Sequence, residues 1–128
     1  MRHALYEFDP KTSLFEHHFP KESISSEINY ILSVSEMLEV LEYKRPKYFL
    51  IKTDGNDLTT TNKLSSWITN HVLPQIARIG IRKIAIVTAT LTIAGMSEKP
   101  IHIFPWLIAA SFTSAENARE WLLDSEIS

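Results

Sequence analysis

The chain predicts a single α/β domain over residues 1–128, in which amphipathic helices cover a mixed β-sheet. Two short runs of unbroken apolar residues, Tyr48-Phe49-Leu50-Ile51 and Ile84-Ala85-Ile86-Val87, suit strands buried on both faces. Around them, apolar residues recur at three- and four-residue spacing, as in helices with one buried side. A chain of 128 residues, 45% hydrophobic and 22% charged, can bury one core but has no room for a second domain.

Taken in order, residues 4 to 8 and 13 to 19 are apolar and aromatic segments separated by Asp9-Pro10-Lys11-Thr12, a turn-forming stretch, and predict a β-hairpin. In its second strand Phe15, His17 and Phe19 share one face, and Leu14, Glu16 and His18 the other. From Ser23 to Tyr43 the spacing becomes helical, with Ile28, Ile31, Val34, Leu38 and Leu41 as the apolar stripe. Lys44-Arg45-Pro46 supplies cations to the C-terminal dipole and a residue that cannot continue the helix.

The run 48 to 51 is the next strand, and Leu64, Ile68, Val72, Ile76 and Ile79 mark a helix over 61 to 79 that ends at Gly80. Pro74 lacks a backbone donor and should bend or divide that helix. After the strand 84 to 87, Thr90 to Ser97 fits either a short helix or a turn, and Pro100 to Pro105 is ambiguous. Leu107 to Phe112 is the last strand. Thr113-Ser114-Ala115-Glu116 has the form of a capping box for a final helix, with Ala115, Ala118, Trp121 and Leu122 on its apolar side. The tally is about five strands and about four helices.

Thirteen basic and fifteen acidic residues give a formal net charge of -2, too little field to collect nucleic acid or anionic lipid. Without cysteine, disulfides, thiolate metal sites and a cysteine nucleophile are excluded. The N-terminus lacks a secretory apolar core and no run approaches a transmembrane length, so a cytoplasmic protein is expected.

The order of elements, the stretch Lys47-Tyr48-Phe49-Leu50, Trp67-Ile68, Pro74, Gly80-Ile81-Arg82-Lys83-Ile84-Ala85-Ile86-Val87, and the closing segment from Phe112 to Leu122 together carry a resemblance. The chain resembles small bacterial STAS-like domains, related in fold to sporulation anti-sigma-factor antagonists and more remotely to the lipid-binding CRAL-TRIO fold. The resemblance covers nearly the whole sequence. It implies a non-enzymatic regulatory or interaction module that binds a protein partner, with homodimerisation as one form of that contact. In such antagonists a phosphorylatable serine follows a central strand. The matching stretch here runs from Asp54 to Asn62 and departs from the pattern by offering threonines.

Asp54, Asp57, Thr59, Thr60 and Thr61 are therefore candidates for a switch or anion-binding loop at a helix start. The plainer alternative is one threonine as N-cap with the aspartates making turns. Ile101, Ile103, Phe104 and Trp106 form a candidate apolar contact patch, with core packing as the alternative. A small-ligand carrier with a pocket beside that patch is a rival reading, and an enzyme with a site assembled from distant residues is another. His17 and His18 face opposite sides of a strand, and His3, His71 and His102 are scattered, which argues against a metal site. No Gly-x-Ser-x-Gly elbow, phosphate loop or dinucleotide fingerprint occurs, and no cofactor is implied.

Overall fold

A computed structural model of the chain describes residues 5–19, 26–53, 66–87 and 100–124. The hairpin is present as β1 (Leu5–Asp9) and β2 (Leu14–Phe19), paired antiparallel with Phe8 opposite Phe15. Its turn is held by Asp9, whose Oδ1 accepts from the Lys11 amide and whose carbonyl accepts from the Ser13 amide. Ser13 closes it in the left-handed region at φ 60°.

Helix α1 (Glu27–Lys44) starts at Ser26, whose hydroxyl accepts from the Asn29 amide at 3.1 Å. It ends where Arg45, at φ 49°, donates its amide to the Leu41 carbonyl, one residue before Pro46. The expected apolar stripe is corrected at its first member. Ile28 is 71% exposed, while Ser33, Val34, Met37, Leu38 and Leu41 are buried. Extrapolating the stripe backward over Ile28 carries it off the side that meets the sheet.

Strand β3 (Tyr48–Thr53) follows. The helix before Gly80 begins by Ser66 and is interrupted as Pro74 dictates. Residues Ile68–Val72 form a π-helical turn, closed by the Leu73 amide on the Ile68 carbonyl, and α2 (Leu73–Ile79) continues as regular helix. The widened turn lies where proline withholds its donor. Gly80 caps α2 at φ 105°, and β4 (Lys83–Val87) comes next.

Pro100 to Pro105 resolves as a strand, β5 (Ile101–Phe104), which pairs antiparallel with β6 (Leu107–Phe112) across the Pro105-Trp106 turn. The sheet therefore has six strands rather than five, and three α-helices rather than four occur among the described residues. The segment expected over Thr90 to Ser97 lies outside them. In α3 (Ala115–Leu123) the cap is Ser114, whose hydroxyl accepts from the Asn117 amide at 3.2 Å, so Thr113 is not the capping residue and the expected box does not form around it.

The sheet order is β1-β2-β3-β4-β6-β5, with the middle four strands parallel and the two outer strands antiparallel. Alternation along the strands builds two cores. Phe15, Phe19, Phe49, Ile84 and Leu107 pack under α1 and α2 on one face. Leu14, Leu50, Ala85 and Val87 pack under Ala118 and Leu122 of α3 on the other.

Candidate functional site

Between α1 and helix 66–79 lies a cleft of about 290 Å³. Its apolar lining is Leu38 from α1 with Trp67 and Val72 from the π-turn region, and its polar lining is Ser35, Glu39, His71 and Gln75. The arrangement follows from helix geometry. Ser35 and Glu39 sit one turn apart on α1, and Trp67, His71 and Gln75 follow at four-residue steps on the facing helix. The π turn changes the phase of Trp67 and His71 relative to α2, and such turns recur at functional sites. A cleft of this size can take one aromatic or basic side chain, or a small ligand.

Perturbed titratable groups stand elsewhere. His17 is 2% exposed, flanked by Phe15 and by Phe19 with ring centroids at 6.2 and 4.4 Å, and neither ring nitrogen has a hydrogen-bond partner. Burial, with a smaller contribution from His18, lowers its pKa to about 4. Burial raises that of Tyr30, whose ring lies 6.3 Å from Phe19. On the opposite face, Arg119 makes two hydrogen bonds to the Glu16 carboxylate at 2.7 and 2.8 Å, which raise the guanidinium's pKa. Lys83 donates to the carbonyls of Trp121 and Asp124 at 3.1 and 2.8 Å and lies 5.3 Å from the Trp121 ring. Burial lowers its pKa, partly offset by the Asp124 charge. These contacts fasten α3 to the sheet.

Of the residues singled out from sequence, Asp54, Asp57, Thr59, Thr60 and Thr61 lie outside the described residues. Within the apolar patch, Ile101 and Trp106 are exposed, whereas Ile103 and Phe104 pack against the core. Trp106 is 56% exposed and stacks on Phe104 with centroids 5.4 Å apart. Strand β3 reaches Thr53 at the carboxyl end of the parallel strands, and the Pro105-Trp106 turn precedes β6 at their amino end. The cleft between α1 and helix 66–79 is lined by none of Ile101 to Trp106.

Glu39, Trp67 and His71 escaped the sequence reading as a group because they come from separate elements. Their one available signal was the helical phase break at Pro74. Among the described residues no group of three or more His, Asp or Glu is placed to hold a metal, and no helix is long and apolar enough to cross a membrane. Comparison with family models, curated proteins and solved structures returns no match to this chain.

Proposed function

We propose that the chain is a non-catalytic STAS-like module that binds a protein partner. The observation that carries the reading is that Ile101, at the start of β5, and Trp106, in the turn after it, are both exposed apolar groups along the outer edge of the sheet. A tryptophan stacked on Phe104 presents a large contact area with little conformational freedom left to lose, as anchors of interfaces do. An outer strand also offers backbone donors and acceptors to an incoming strand. The resemblance to anti-sigma-factor antagonists points the same way, and adds the candidate switch residues Asp54 to Thr61 to the contact surface. A homodimer is one form of this contact.

Native mass spectrometry of the protein from its own cells, alongside Trp106→Ala and Ile101→Ser, tests the reading. A protein complex or dimer that disappears in the variants is expected. A bare monomer in all three samples would sink it. A second reading, a small-ligand carrier, rests on the 290 Å³ cleft and predicts a small mass lost on denaturation.

A further inference from the structure

We infer that the partner of this chain presents an acidic segment, whose carboxylates are received by Lys47 and Arg82 beside Trp106 at the amino end of the parallel strands. The inference rests on the interaction reading above and deepens it by naming the partner's chemistry. Backbone bonds set the three residues in a row. The Arg82 amide donates to the Lys47 carbonyl at 2.8 Å, and the Ile108 amide to the Arg82 carbonyl at 3.0 Å. Tyr48 lies opposite Lys83, and Lys83 opposite Ile108. Lys47, Arg82 and Leu107 therefore stand level on neighbouring strands, with Trp106 one residue before the last. At about 4.8 Å between strands, the row from Lys47 to Trp106 spans about 10 Å. Lys47, Arg82 and Trp106 are all exposed.

Most of the charge at this end is already engaged. All three α-helices finish here, and cations meet their negative dipole ends. Lys44 stands in the last turn of α1, Arg78 in that of α2, and Lys83 donates to the carbonyls of Trp121 and Asp124 at the end of α3. Among the carboxylates, Glu42 is bound by Arg45 at 2.8 Å, Asp124 acts on the Lys83 ammonium, and Asp9 accepts from the amide of neighbouring Lys11. Lys47 and Arg82 lie past the helix ends, and no carboxylate among the described residues pairs with either. Two adjacent unpaired cations next to an exposed indole fit a pair of carboxylates followed by an apolar side chain. The cations hold the carboxylates by charge-assisted hydrogen bonds, and the apolar group covers the indole. An extended segment crosses 10 Å in about three residues, which sets the spacing of acid and apolar group. On a chain of net charge -2, two free cations are too few to collect a polyanion, which selects protein carboxylates over nucleic acid or anionic lipid.

The test titrates the full chain with a synthetic peptide carrying two adjacent glutamates and, about three residues on, a phenylalanine. A control peptide has lysines in place of the glutamates. Amide resonances of Lys47, Arg82 and Trp106 are expected to shift with the acidic peptide alone, and less as salt is raised. In the double variant Lys47→Glu with Arg82→Glu, affinity for the acidic peptide falls about tenfold and the control binds instead. Equal shifts from both peptides, or none from either, would overturn the proposal. So would anionic phospholipid vesicles that move these resonances when the acidic peptide does not. Glu126 lies outside the described residues, and Glu126→Gln should bind the acidic peptide as the native chain does. A gain of about tenfold in that variant would show the chain's own carboxylate on the two cations, and would also overturn it. A native complex that Trp106→Ala abolishes and the double variant keeps would remove the acidic partner and leave the interaction reading standing.

Discussion

The buried imidazole of His17 makes this protein sensitive to mild acid. The ring is enclosed by Phe15 and Phe19, and neither nitrogen has a partner, so a proton added there acquires no compensating contact. The folded pKa is about 4, against an ordinary value of 6.5. Because the folded value is the lower one, the unfolded chain binds the proton first and stability falls as pH drops. The contribution is intact above 6.5, declines between 6.5 and about 4, and is fully lost below that. A tenfold change in proton affinity is worth about 1.4 kcal/mol, so the complete loss is about 3 kcal/mol, with roughly a third to a half of it gone at about pH 5.5 and most of it at about pH 4.5. Urea unfolding followed by circular dichroism, at these values and at about pH 7.5, measures it against His17→Leu and His17→Gln, which cannot titrate. Both variants should show a shallower decline by these amounts. His17→Leu should also match or exceed the native chain at neutral pH, because it removes two unsatisfied polar atoms. Parallel pH curves for native chain and variants would refute the reasoning.

Three further outcomes follow from contacts at the edges of the fold. The Glu16–Arg119 pair is partly exposed, with side-chain exposures of 26% and 45%, so a double-mutant cycle to alanine should return about 0.5 to 1 kcal/mol, smaller at high salt. Lys83→Met strips the carbonyls of Trp121 and Asp124 of their donor and should cost about 1 to 3 kcal/mol in urea unfolding; no loss would show that water replaces the ammonium freely. Gly80→Ala meets no atom within 4 Å, so any cost comes from φ +105° alone, and a drop in melting temperature equivalent to about 1 kcal/mol is expected.

How far the sequence could be read depended on whether the relevant contacts were local. The hairpin, the long helix, both buried strands and Gly80 were legible because turn chemistry, periodicity and a left-handed cap all act within a few residues. Ile101 to Phe104 was not, since a strand bracketed by prolines on the outside of a sheet needs only one partner and carries a weak pattern. The π turn left a trace that went unused. Leu64, Ile68, Val72 and Ile76 repeat at four, and each such step overshoots an α-helical turn by about 40°, so the series drifts unless a turn is widened. Glu39, Trp67 and His71 became a group only once α1 and helix 66–79 were brought side by side, which no local pattern encodes.

Ser13 ties the hairpin turn to the start of the parallel sheet. Its carbonyl accepts from both the Lys47 and Tyr48 amides, and its hydroxyl from the Lys47 amide at 2.9 Å, so the hairpin turn grips the chain where β3 begins. The hairpin and α1 each form from near neighbours on a microsecond scale or faster, whereas the parallel pairings join strands roughly 25 to 35 residues apart and bear the loop-closure cost. Closing the Ser13 latch aligns Leu14 with Tyr48 and thereby sets the register of the first parallel pair. The register so fixed is the one on which β4 and then β6 pair in parallel, so a single serine in a surface turn sets the phase of the whole parallel core.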